Sequence, residues 1–207
     1  MNDNISSKQI LISILGVAIL VVALVGISFA AFTYSKTGTT LNTITTGTIT
    51  MNYNEPEAGI TLTDALPMTD ASGMALTGTG NTFDFTVSTT IKGKGTTTIN
   101  YLITATEVTT TFPNTGIKVY LTSDDDKNVE LSPTKVSELD TTQSSNLAGA
   151  PTGQKILKVG TVTATDTEVD QTIKYRLRMW VAEDFSDSSK SGTYSIRVNV
   201  YGKANAQ

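Results

Sequence analysis

Apolar positions follow two regimes along the chain. From Ile10 to Phe32, 23 residues pass without a charge, behind a polar start (MNDNISSKQ) that carries Lys8 close to the apolar edge. A run of that length can span a bilayer and exceeds the apolar core usual in a signal peptide. From Thr37 the pattern changes to short alternating runs separated by Gly, Pro, Asn and Asp. Successive side chains of a strand point to opposite faces, so each such run predicts a strand with one apolar face. Thr48–Asn54 alternates through Ile49, Met51 and Tyr53, and Ile60 with Leu62 continues the pattern. Thr82–Ile91 places Phe83, Phe85, Val87 and Ile91 on one face, and Thr97–Thr106 does the same with Ile99, Tyr101, Ile103 and Ala105. The Gly-Lys-Gly at Gly93–Gly95 between them predicts a β-hairpin.

Ile117, Val119 and Leu121 form the next strand, ended by an acidic turn at Asp124-Asp125-Asp126, with Val129 and Leu131 on a short return. Pro133–Asp140 reads as one or two helical turns, Thr141–Gly153 as a loop and Lys155–Thr165 as a strand. Two long strands close the chain. Thr172–Ala182 turns Ile173, Tyr175, Leu177, Met179 and Val181 inward, and Thr193–Tyr201 turns Tyr194, Ile196, Val198 and Val200 inward, with hydrophilic Asp184–Gly192 between them. About eight to ten strands at period two, with no fixed repeat, predict an all-β fold. The expectation is an antiparallel jelly-roll or immunoglobulin-like β-sandwich, preceded by one N-terminal apolar helix that is either signal peptide or anchor.

The leader has the shape of a processing site. Gly26 breaks the helix, and the small residues Ser28 and Ala30 stand at the spacing a signal peptidase reads, so a cut would leave Ala31 as the new N-terminus. The alternative is an uncleaved anchor, touching the membrane only through residues 10–32. Both readings place the domain outside the cytoplasm. The organisation is thus 1–30 leader, 31–47 extended segment and 48–207 sandwich.

Composition narrows the chemistry. Charged residues make up only 16% of the 207, whereas there are 38 threonines. A low charged share with a β-branched hydroxyl residue in excess suits sheets with one wet face. The net charge of −4 does not point to nucleic acid or an anionic membrane. The absence of Cys and His removes Ser-His-Asp and Cys-His catalysis, thiolate zinc sites and thiol redox chemistry. A non-catalytic protein without cofactor is expected. Glu107, Glu168, Glu183 and Asp184 are scattered carboxylates that nothing in the sequence pairs.

Three features invite a site. Ser123–Glu130 (SDDDKNVE) sets Asp124, Asp126, Asn128 and Glu130 at every second position, as at the start of a calcium loop. Val129 stands where such a loop needs Gly, and Lys135 where it needs Glu, so the reading is an acidic turn without metal. Leu66–Asp70 (LPMTD) is similar to a sortase signal, but it is internal and ends in Asp, which favours a Pro-started turn. Lys174, Arg176 and Arg178 share the outer face of one strand and Arg197 faces outward on the last, a face for an anionic polymer or an ordinary cationic surface. Trp180 projects on the same side, to stack with Arg or to meet a ligand.

The junction GISFAAFTY (Gly26–Tyr34), followed by TTGTITMNY (Thr45–Tyr53), resembles the TasA/camelysin family of bacterial biofilm-matrix proteins, whose leaders are removed by SipW-type signal peptidases. The resemblance implies a secreted jelly-roll subunit of extracellular fibres in a Gram-positive-type bacterium, with itself as main partner. It also implies that residues 31–40 can act as a donor strand for a neighbour, with Phe32 and Tyr34 as alternate anchors. Matrix polysaccharide or other surface proteins are further partners to consider. The competing reading is a membrane-anchored surface module that binds a glycan or a protein.

Overall fold

The computed structural model describes residues 33–36, 48–53, 59–78, 80–92, 96–185 and 192–206. The leader, its expected cut at Ser28, Ala30 and Ala31, and Phe32 lie outside these residues. Among the described residues no helix is long and apolar enough to cross a membrane.

Among the described residues the strands are β1 (Thr33–Lys36), β2 (Thr48–Tyr53), β3 (Gly59–Thr63), β4 (Pro67–Met68), β5 (Thr82–Ile91), β6 (Thr96–Thr110), β7 (Ile117–Ser123), β8 (Asn128–Lys135), β9 (Lys155–Thr165), β10 (Val169–Ala182) and β11 (Thr193–Ala206), and the short helix α1 (Asp70–Met74) stands between β4 and β5. They build two sheets. The first runs β1-β11-β6-β9, with β3 also on β11; the second runs β2-β5-β10-β7-β8, with β4 joined to β10. Every ladder is antiparallel except the short β4–β10 pairing. The protein is an all-β sandwich.

Period-two alternation supplies the core. Phe83, Phe85, Val87 and Ile91 from β5, Ile99, Tyr101, Ile103 and Ala105 from β6, and Tyr175, Leu177, Met179 and Val181 from β10 are all buried in one apolar cluster. Tyr101 and Tyr175 come from opposite sheets, and their hydroxyls meet at 3.1 Å inside this core. At one edge of the sandwich, Lys158 on β9 pairs with Glu130 on β8, which ties the two sheets together.

The hairpin expected around Gly93–Gly95 does not form. β5 pairs with β2 and β10, while β6 pairs with β11 and β9, in the other sheet. Both runs carry an apolar face, and placing these face to face across the core buries both at once, whereas edge pairing leaves each needing another cover. Gly93–Gly95 itself lies outside the described residues. A second difference concerns Pro133–Asp140: β8 continues through Pro133 to Lys135, and only Val136–Glu138 turns, as a 3-10 helix. Pro is tolerated there because β8 is an edge strand. The polar loop Thr141–Gly153 is a packed cover, since Ala148 and Ala150 bury against Leu102 and Tyr201 on the outer face of the first sheet. Gln154 anchors its end, donating to the Tyr201 hydroxyl at 2.8 Å and accepting from Thr104.

Candidate functional site

The outward positions of β10 carry the charges singled out in the sequence, and register decides what they meet. Arg176 lies opposite Asp84 on β5 and Thr122 on β7. Its guanidinium grips the Asp84 carboxylate with two bonds of 2.7 Å and reaches Asp126 at 3.3 Å. Arg178, only 3% exposed, clamps Asp126 with bonds of 2.8 and 2.7 Å. It also donates to the Leu76 carbonyl at 2.8 Å and to the Thr122 hydroxyl at 3.1 Å, with its carbon centre 5.7 Å from the middle of the Tyr120 ring. A planar, forked donor satisfies such a set of acceptors as no ammonium could.

The anionic-polymer face is therefore corrected. Arg176 and Arg178 are spent on carboxylates of the same surface, and Arg178 is buried. Arg197 sits on β11 in the other sheet and does not join them. Lys174 alone of the four is both exposed and on this face. Trp180 offers no platform either, because it is 1% exposed beneath α1, where a Cβ on Gly73 would stand 2.3 Å from its ring. Thr69 caps α1 by accepting from the Ser72 amide, and Lys118 holds Asp70 through both carboxylate oxygens at 2.8 Å. The LPMTD stretch is thus strand β4 followed by a helix cap, and Trp180 Nε1 is buried without a hydrogen-bond partner.

The acidic turn is a rigid left-handed bend. Asp124, Asp125 and Asp126 have φ of 52°, 57° and 67°. Asp is among the few residues that accept this region, since its short polar chain can bond locally. Asp124 accepts from Asn128 Nδ2 at 3.0 Å, its amide donates to the Lys174 carbonyl at 2.9 Å, and Asp126 is fixed by the two arginines. The alternating oxygens do not converge as a cation cage: Asp126 binds guanidinium, and Glu130 binds Lys158 and the Ser123 hydroxyl. Among the described residues no cluster of three or more potential ligands forms a metal site.

Hydrogen bonding from Arg178 holds the Asp126 carboxyl far below the usual carboxylate range, against the opposing effect of burial. Because its pKa is lower folded than unfolded, Asp126 contributes stability above the ordinary Asp pKa of about 4 and loses it as pH falls below that. Asp126→Asn is expected to be less stable than the parent at neutral pH, with the gap narrowing as pH drops below about 4. Urea titrations at a series of pH values check this; a gap independent of pH sinks it.

Between the turn and β5–β10 lies an open cleft of about 250 Å³, lined by Asp84, Thr86, Asp125, Asp126, Lys174 and Arg176 among others. A second, of about 410 Å³, contains Glu107, Phe112, Asn114 and Tyr194. Glu107 there accepts from the Tyr194 hydroxyl at 2.7 Å and from Asn114 at 3.1 Å, and burial, with this bond, raises the tyrosine pKa. Of the remaining scattered carboxylates, Glu168 pairs with Lys92 and Asp184 with Lys135, and among the described residues no side-chain hydrogen bond joins either to Glu183.

Of the expected donor segment 31–40, only residues 33–36 are described, and they form β1 at a sheet edge. β1 adds antiparallel to β11 of its own chain, with Thr33 opposite Lys203, Tyr34 opposite Gly202, Ser35 opposite Tyr201 and Lys36 opposite Val200. β3 occupies the same side of β11 further along, at Thr193–Arg197.

No family model matches the chain, and no curated protein does. Among solved structures, the carbohydrate-binding module TmCBM61 in complex with β-1,4-galactotriose is similar over 74% of this chain and 86% of its own, with 11% identity and a TM-score of 0.18. At that score the two folds do not superimpose.

Proposed function

We propose that this chain is a secreted, non-catalytic subunit of extracellular matrix fibres that assembles by strand addition, as the TasA/camelysin resemblance implies. The observation that carries the reading is β1. The residues just beyond the expected cut form a four-residue strand at the edge of the first sheet, on the outer half of β11. A strand this short, held by one ladder, can be displaced by the same segment of a neighbour, which restores every main-chain bond and links subunits head to tail. The same residues close the monomer in cis and the polymer in trans.

The test uses the absence of native cysteine. Thr33→Cys with Lys203→Cys, opposite one another in the ladder, permits a disulfide that locks β1 in place. Oxidised as a monomer, the secreted variant is expected to form no fibres by negative-stain microscopy, and to form them again after reduction. Fibres from the locked monomer overturn strand exchange, and a parent protein without fibres overturns the matrix reading. Sequencing the N-terminus of the culture protein separates secretion, starting at Ala31, from anchoring, starting at Met1.

A further inference from the structure

We infer that the outer edge of β9 is a second self-pairing surface, through which two copies of this chain join antiparallel along Val159–Thr165. This edge lies at the opposite side of the first sheet from β1, and the inference goes beyond the proposed fibre contact.

Sheet edges are normally guarded by charge, proline, bulges or a covering segment. β8, the edge of the second sheet beside β9, carries Glu130, Pro133 and Lys135. The start of β9 is covered, since Lys155 bridges Thr141 and the Ile156 amide donates to the Asp140 carbonyl at 2.8 Å. Lys158 is fixed to Glu130. Beyond it the sequence VGTVTAT has neither charge nor proline, and among the described residues its only ladder is with β6. The chain enters residues 37–47 at Lys36 and returns at Thr48, both in strands on the opposite edges of the two sheets, β1 and β2.

The segment is also complementary to itself. Thr161, Thr163 and Thr165 are exposed, Val159 is 68% exposed, and Val162 and Ala164 are buried. Opposite residues of an antiparallel pair share a face, so a twofold axis at Val162 preserves inside and outside. In that register Thr161 of one copy faces Thr163 of the other, Val159 faces Thr165 and Gly160 faces Ala164, while Lys158 keeps its own Glu130. Cross-strand hydroxyl pairs are already what β9 makes on its other side, where Thr165 meets Thr96 and Thr163 meets Thr98, each at 3.2 Å. The dimer extends that pattern across the axis and fuses two sheets into one.

Register supplies a specific test on the full secreted chain. Thr161→Cys and Thr163→Cys are made as separate proteins, each at an exposed position of an otherwise cysteine-free chain. Mixed and mildly oxidised, they are expected to give at least tenfold more disulfide-linked dimer than either gives alone, because only unlike residues face each other. Thr163→Lys is expected to raise the dimer dissociation constant more than tenfold by sedimentation equilibrium, with its circular dichroism unchanged. Equal cross-linking in mixed and single samples, or a monomer at all concentrations, overturns the proposal; β9 amides protected from exchange in a monomer mean that another segment covers the edge. Locking β1 to β11 leaves this cross-link in place if strand exchange alone is wrong, so the two proposals fail separately.

Discussion

Arg178→Ala is expected to destabilise the protein by about 2–4 kcal/mol, the loss of a buried guanidinium and of the four bonds it donates, on a partner, Asp126, that is itself 38% exposed. The guanidinium is almost wholly buried and joins four pieces of chain: β10 that carries it, the Asp124–Asp126 turn, Thr122 on β7, and Leu76 beyond α1. Its removal takes the donor from the Leu76 carbonyl and the main clamp from Asp126, which keeps only Arg176 at 3.3 Å and the Thr122 hydroxyl. It also releases the clamp on a turn with three consecutive left-handed residues, a conformation that costs about 1–2 kcal/mol per ordinary residue and less for Asp. For a chain of this size the midpoint of thermal unfolding should fall by about 10 °C. Arg178→Lys should recover only part of the loss, because one ammonium cannot form the fork. Denaturation of the three proteins decides it, and a loss below about 1 kcal/mol would mean the pair behaves as an exposed one.

The second large effect is expected at Gly160. It pairs with Tyr101 across the β6–β9 ladder, and an added Cβ would lie 2.0 Å from the far end of the Tyr101 ring. That ring is 4% exposed, and its hydroxyl meets Tyr175 from the other sheet, so it has no room to yield. Gly160→Ala is therefore expected to cost about 3 kcal/mol, at the upper end of overpacking, and to disturb the tyrosine pair. Tyr101→Leu in the same chain should relieve part of this, giving a double-mutant coupling well outside additivity. Additive losses would show that the ring does move aside. The same glycine lies in the self-pairing stretch of β9, but its open side faces this ring, so the core requires it whether or not a dimer forms.

Much of the fold was legible from alternation. Thr82–Ile91 and Lys155–Thr165 coincide with β5 and β9, and the inward sets of β10 and β11 pack into the core, although the outward Arg178, Trp180 and Tyr201 are buried as well. The hairpin around Gly93–Gly95 failed because a Gly-rich turn signals a reversal without saying whether the next strand pairs in the same sheet or crosses to the other. The helical turn read into Pro133–Asp140 is present only at Val136–Glu138, because an edge strand tolerates the proline that a central one would reject and β8 runs on to Lys135. At the cationic face, the outward direction of Lys174, Arg176 and Arg178 was correct and their availability was not.

What the sequence determined by itself is which side of each strand is apolar, because side-chain direction alternates with every residue and needs no partner to be read. It also determined which chemistry is excluded, since a chain without Cys or His lacks those groups in any fold. Which strand neighbours which, and so which charges meet, was decided only by the tertiary structure. Arg178 and Asp126 are 52 positions apart, and Arg176 and Asp84 are 92 apart. Nothing local couples such residues; the ladders β5–β10 and β10–β7 bring them together, and only then does a row of cations become a set of closed ion pairs.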